Sequence, residues 1–240
     1  ILIFFIITFS IDIRSIDLRF LNTWMTSDIF SIAFILLCFL FIINGANLVD
    51  GFNGLLIIHL IIINFILLVL NLNNNNQDLA IPISAQIVVL LSLLLFNFPK
   101  SKIFLGDGGS YLFGSLLALN IIKTNNANQE ISSFFFCALL FYLFFEVFFS
   151  FFRKLFLKKS PLKPDRKHLH MLLFNFLTKS GKFQDCNYLN SLLINLTYSF
   201  LILPSVFFYD SGFICKYWFF SLLILYLVFY SILYSFEKKQ

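Results

Sequence analysis

The sequence predicts an all-α polytopic membrane protein, a multi-helix transmembrane bundle, and three observations carry that expectation. The 240 residues are 60% hydrophobic, 20% aromatic and 12% charged, with 36 phenylalanines, far from the usage of soluble domains. Apolar runs recur along the whole length, and a hydrocarbon core of about 30 Å needs about twenty apolar residues per helix. Lysine and arginine crowd into particular loops that flank these runs, so the formal charge of +5 reads as orientation relative to a membrane. No nucleic-acid partner is expected.

Taken in order, the apolar runs give a partial span at 1–9 and helices near 29–49, 54–70, 81–97, 109–122, 131–152, 188–208 and 216–236. "ILIFFIITF" is too short to cross, and no basic flank or cleavage site precedes it, so the sequence is expected to be a fragment lacking its N-terminal helices. The loops alternate. "NLNNNNQD" (71–78) has no cation and 123–130 only Lys123, whereas "FPKSK" and a long basic loop, 153–187, are rich in them. The basic loops and the C-terminal "EKKQ" are therefore expected in the cytoplasm. The loop 10–28 must then lie outside despite Arg14 and Arg19. Cys38, Cys137, Cys186 and Cys215 show no paired spacing and read as small core hydrophobes.

Three polar stretches interrupt this hydrocarbon-soluble chain, all on the expected cytoplasmic side. In "NGANLVDGFNGLL" (44–56), spacings of three place Asn44, Asn47 and Asp50 along one side of a helix end, followed by Asn53 among glycines. One such asparagine suggests interhelical hydrogen bonding. Four polar residues and three glycines instead suggest a site, because polar groups near a membrane are costly unless they pair or line one. In "FLGDGGS" (104–110), Asp107 is either an N-cap or a hard-oxygen ligand for Mg²⁺, beside glycines that let a phosphate reach a helix N-terminus. In "SPLKPDRKHLH" (160–170), Arg166, Lys167, His168 and His170 form either a solvated loop touching anionic lipid or donors for a phosphate-rich substrate. The His168-x-His170 spacing raises zinc, which requires further ligands that the sequence does not supply. Glu146, inside "FYLFFEVFFSFF", is expected to be paired, with Arg153 or with a residue of the following loop. His59 has no visible partner and reads as a packed neutral histidine.

In this order, "NGANLVDGFNGL", "FLGDGGS" and "EVFFSFFRKLFLKKSPLKPDRKHLH" resemble the polyprenyl-phosphate N-acetylhexosamine-1-phosphate transferases, which include the phospho-MurNAc-pentapeptide translocase. The resemblance implies a single transmembrane phosphotransferase domain over 1–240. It also implies transfer of a sugar 1-phosphate from a UDP-N-acetylhexosamine to undecaprenyl or another polyprenyl phosphate, with UMP released and Mg²⁺ as cofactor. Matched by motif, Asn47 and Asp107 look like metal ligands, Asp50 and Asp107 like the catalytic carboxylates, and Asn53 and Phe104 like uracil contacts. Arg166, His168 and His170 look like binders of the donor diphosphate, and Asn44 lines the same mouth. The implied location is a bacterial inner membrane with a cytoplasmic active site, and a homodimer is compatible with it. The chain departs from the family pattern where many members have Asp in place of Asn53 and a further His in place of Met171. An Asp-Asp loop of the family would lie upstream of Ile1.

Two other readings start from the same residues. Polar groups in a helix bundle also mark transporters, whose sites sit near the bilayer midplane at broken helices. An inactive homologue of the transferase is the other.

Overall fold

The computed structural model describes residues 2–14, 16–161, 163, 165–181 and 183–238. Among them the chain forms eleven helices: α1 (Leu2–Thr8), α2 (Arg19–Met25), α3 (Asp28–Val49), α4 (Leu55–Asn73), α5 (Gln77–Asn97), α6 (Gly106–Ala127), α7 (Ser133–Leu139), α8 (Phe141–Phe156), α9 (Leu169–Ser180), α10 (Cys186–Phe207) and α11 (Gly212–Lys238). The expected all-α polytopic bundle is what forms: α3, α4, α5, α10 and α11 are each long and apolar enough to cross a membrane, and α7 with α8 makes a sixth, bent crossing.

Close packing between these helices depends on small residues, because lipid removes most of the hydrophobic drive for helices to associate. Gly45 on α3 lies directly under the Leu143 carbonyl of α8, where any Cβ would collide. Gly114 on α6 faces Ala46 and the Ile43 backbone of α3 at 3.1 and 3.2 Å from where its own Cβ would be. Helix α3 is thus clamped between α6 and α8. Buried Ile35, Phe39 and Ile42 fill the seam.

Three expectations change. The run 131–152 is not one helix: it breaks at Leu140 into α7 and α8, which meet at 72°. The Leu139 carbonyl accepts the Tyr198 hydroxyl of α10 at 2.6 Å, an arrangement that draws this carbonyl away from the α-helical ladder. The run near 109–122 does form a helix, α6, yet α6 is not among the helices apolar enough to cross by themselves. Its polar groups are satisfied inside the bundle instead: Asn120 Nδ2 donates to Asn64 Oδ1 (3.0 Å) and to Gln86 Oε1 (2.9 Å), and the Thr124 hydroxyl accepts from Asn71 Nδ2 (2.8 Å). Finally, the loops expected at 10–28 and 153–187 contain helices, α2 in the first and the end of α8 with α9 in the second.

The two ends of the bundle are distinct in chemistry. At one end, the Arg14 amide donates to Asn126 Oδ1, the Ser132 hydroxyl donates to Asp17, and Asn74 and Asn76 donate to Asn128. This places 11–18 beside the turns at 74–76 and 128–132, the end expected for it from the alternation of the loops. All three polar stretches belong to the other end.

Candidate active site

The hub of that end is the α3–α4 turn. Asp50 closes α3, and Gly54, at φ +75°, starts α4 in the left-handed region. A Cβ on Gly54 would lie 2.7 Å from the Phe98 ring, so both the backbone and the space call for glycine. The turn is held from three sides. Asn97, buried at the end of α5, accepts the Gly54 amide with its Oδ1 and donates from Nδ2 to the Ile103 carbonyl at 2.7 Å. Asn53 Nδ2 donates to the Pro99 carbonyl at 2.9 Å, and the Asn53 amide donates to Asn187 Oδ1 of α10 at 2.8 Å.

Against this hub sits the start of α6. Gly106, at φ +67°, turns the chain so that Asp107 enters the first helical turn, where the helix dipole favours a carboxylate. Asn47 Nδ2 donates to Asp107 Oδ1 at 2.8 Å and to Ser110 Oγ at 3.2 Å. Burial pushes the Asp50 carboxyl up to about 6, the Gly106 backbone amide partly offsets this, and the charge of Asp107 adds to the rise. Two carboxylates and a carboxamide therefore converge on one mouth from positions 47, 50 and 107. This is a hard-oxygen donor set with mutual repulsion, which a divalent cation would relieve, so the residues fit Mg²⁺.

The basic loop meets the same hub through Phe52, whose ring packs edge-on against His170 (5.7 Å between centroids) and beside Phe174 (5.0 Å). The loop is tied down rather than freely solvated. Arg153 makes a two-pronged ion pair with Asp165 at 2.9 and 3.1 Å, and Lys154 Nζ donates to the carbonyls of Pro161 and Lys163. Glu146 is paired, as expected, but with the loop and not with Arg153: it faces His168 Nδ1 at 3.1 Å and accepts the Leu169 amide at 3.0 Å. The other ring nitrogen of His168 lies 3.5 Å from Asp165. His170 is fully buried, its Nδ1 3.3 Å from the Tyr142 hydroxyl, and burial lowers it to about 4.

The expected site residues thus fall into two groups. Asn47, Asp50, Asn53, Asp107, His168 and His170 are joined by the contacts above. Asn44, Phe104 and Arg166 are exposed at the same end and are not linked to that network by a hydrogen bond among the described residues; the Asn44 amide bonds back to the Leu40 carbonyl at 2.7 Å. Sequence reasoning missed Asn97, Asn187, Ser110 and Tyr142. Asn97 had a signal, a single carboxamide ending the apolar run "LLSLLLFN", and Ser110 closes the singled-out stretch "FLGDGGS"; Asn187 and Tyr142 had none. His59 is packed as expected, and its partner is Asn195, 3.2 Å away on α10.

Comparison with known proteins follows the same pattern. The chain is 32% identical over 168 residues to the undecaprenyl-phosphate alpha-N-acetylglucosaminyl 1-phosphate transferase of Thermotoga maritima, covering 70% of this chain and 48% of that protein. It is 32% identical over 105 residues to the phospho-N-acetylmuramoyl-pentapeptide-transferase of Clostridium perfringens, covering 44% and 33%, and 39% identical over 79 residues to that of Leuconostoc mesenteroides, covering 33% and 25%. The chain therefore spans about half the length, or less, of these curated relatives. The family model described as glycosyl transferase family 4 matches residues 1–125, more than half of the sequence and the part that holds the first two polar stretches, and the chain belongs to that family.

Proposed function

We propose that this site transfers an N-acetylhexosamine 1-phosphate from a UDP-sugar to undecaprenyl or another polyprenyl phosphate and releases UMP, in a bacterial inner membrane with the site facing the cytoplasm. The observation that carries the reading is the Asn47–Asp107 hydrogen bond, which joins two stretches 60 residues apart into one carboxylate-lined mouth at a membrane-facing end of the bundle. An oxygen of the lipid phosphate attacks the phosphorus that bears the sugar. The attacking oxygen becomes the bridge of a new diphosphate, the bond from that phosphorus to the bridging oxygen of the donor breaks, and UMP leaves with the donor's bridging oxygen.

Both reactants are anions, so alignment and charge neutralisation are what a protein must supply. Asn47 and Asp107, with Asp50 beside them, would hold Mg²⁺, which when bound screens the diphosphate charge and favours the departing phosphate. Arg166, exposed at this end, would meet the donor diphosphate directly through its guanidinium. His168 and His170 lie in the same loop, held by Glu146, Asp165 and Tyr142, and their part is to keep the loop in shape beside the donor diphosphate. Phe104, 65% exposed, offers a ring on which a uracil can stack, and Asn53 and Asn44 offer amides at the rim.

The transporter reading has less support. The polar groups inside the bundle, Asn64–Asn120–Gln86 and His59–Asn195, bond to one another as helix-to-helix glue, and the two candidate-site carboxylates, Asp50 and Asp107, lie together at one end. Membranes carrying the protein, given UDP-N-acetylglucosamine and undecaprenyl phosphate, are expected to form UMP and a lipid-linked sugar diphosphate in equal amounts. Uptake of the sugar nucleotide without UMP would support transport and end the transferase reading.

A further inference from the structure

The end of the bundle opposite the carboxylates holds a second polar cavity, of about 620 Å³, lined by Arg14, Asn75, Asn76, Gln77, Asp78, Lys123 and Asn126 among others. Its cations come from two of the places where the charge alternation of the loops is broken. Lys123 is the single cation of 123–130, and Arg14 sits in a segment that alternation puts on the cation-poor side. The fold brings these two exceptions to one cavity.

Among the described residues nothing uses their charge: neither the Arg14 guanidinium nor the Lys123 ammonium has a hydrogen-bond or ion-pair partner, and no ion pair joins either of them to Asp78 on the same rim. Arg14 is tied in place by its backbone: its amide donates to Asn126 Oδ1 at 3.0 Å, and Asn126 Nδ2 donates to the Asp12 carbonyl at 2.7 Å. The 21-residue helix α5 also opens here without a side-chain cap. Its N-cap residue, Asn76, spends its amide on Asn128 Oδ1 at 2.8 Å, and Asp78 in the first turn of α5 offsets the positive end of that helix, so the positive charge here comes from the two cations. The cavity lies where α4 ends and α5 begins, two helices long and apolar enough to cross a membrane, so a bilayer spanned by them would bring its headgroups to this level.

We propose that this cavity is an anion site for a phosphate group at the membrane surface opposite the candidate active site, with Arg14 and Lys123 as its charged ligands and the exposed carboxamides of Asn75 and Gln77 as further donors. A phosphodiester fits better than a carboxylate because several donors converge from separate elements and a phosphate presents more acceptor oxygens. The site rests on none of the residues of the proposed transferase reaction. Its failure would leave that reading untouched.

The test compares the wild-type protein with the Arg14→Gln/Lys123→Gln variant in detergent, adding phosphatidylglycerol, phosphatidylcholine or inorganic phosphate and counting retained ligand by native mass spectrometry. The variant is expected to bind roughly thirtyfold more weakly, since each cation near an anionic surface contributes a several-fold effect. Cation-dependent retention of the lipid assigns the site to a headgroup, and cation-dependent retention of inorganic phosphate alone assigns it to a soluble anion; both support the site. An unchanged melting temperature shows that the variant is folded, and Arg14→Lys, which keeps the charge, should retain binding. Equal retention by wild type and the double variant would overturn the proposal.

Discussion

Single side chains at the active end hold backbone as much as they present chemistry. Asn97 is buried and satisfies both the Gly54 amide and the Ile103 carbonyl, so Asn97→Ala strands the buried Gly54 amide and takes one donor from the half-exposed Ile103 carbonyl. The expected cost is about 1–3 kcal/mol for the stranded amide, read as a lower melting temperature together with loosened substrate binding. His170 gives a pH signature. Burial lowers it to about 4, whereas an unfolded histidine titrates near 6.5. Between these values the unfolded chain holds the extra proton, so this contribution to stability is complete above about 6.5 and is lost as pH falls toward about 4. Melting curves from pH 7.5 to 4.5 should show a decline on the order of 2–3 kcal/mol, and His170→Gln should flatten it. Most of the residues that carry the site were legible in the sequence because polar groups stand out in an apolar chain. Asn187 and Tyr142 were not, since nothing local distinguishes a carboxamide or phenol that bonds a partner 134 or 28 residues away.

Among the elements, the crossing of α3 with α8 is the tightest. Gly45→Ala drives a methyl group into the Leu143 carbonyl. Overpacking of this kind costs about 1–3 kcal/mol, and the shift of α3 would carry Asn47 and Asp50 with it, so activity should fall more steeply than thermal stability in detergent. Gly51→Ala, with no atom near its added Cβ, serves as the control that should keep the fold. The α7–α8 bend shows what a sequence cannot display. Residues 131–152 contain no proline or glycine and read as one span, and the hydroxyl that engages the carbonyl at the break belongs to Tyr198, 59 residues later. Helix α6 erred the other way: its asparagines lowered its hydropathy, and only the partners Asn64, Gln86 and Asn71 explain how such a helix lies within the bundle. The long, strongly apolar helices α3, α4, α5, α10 and α11 were placed to within a few residues at most ends, because there the hydrocarbon requirement alone sets the element.

At the scale of the whole molecule, the bundle has one end where Asp50, Asp107 and carboxamides meet a stapled basic loop, and another built of asparagine turns with Asp17, Asp78, Glu130 and few cations. Charge asymmetry predicts that the end bearing Lys100, Lys102 and the 153–181 segment faces the cytoplasm. Reporters inserted in 74–76 should therefore appear outside and those after Ser160 inside, and a cytoplasmic signal at 74–76 would invert the assignment. The joining of the three polar stretches into one reaction site is tested most directly by UMP release from UDP-N-acetylglucosamine in membranes that carry the protein with undecaprenyl phosphate, comparing wild type with Asp107→Ala. Asp107 is exposed and its carboxylate accepts only from Asn47 among the described side chains, so its loss should leave the fold and the melting temperature nearly unchanged while removing a proposed hard-oxygen ligand of Mg²⁺. The expected result is a fall of at least about a hundredfold in UMP release, not restored by added Mg²⁺. Release at the wild-type rate from well-folded Asp107→Ala protein would contradict it.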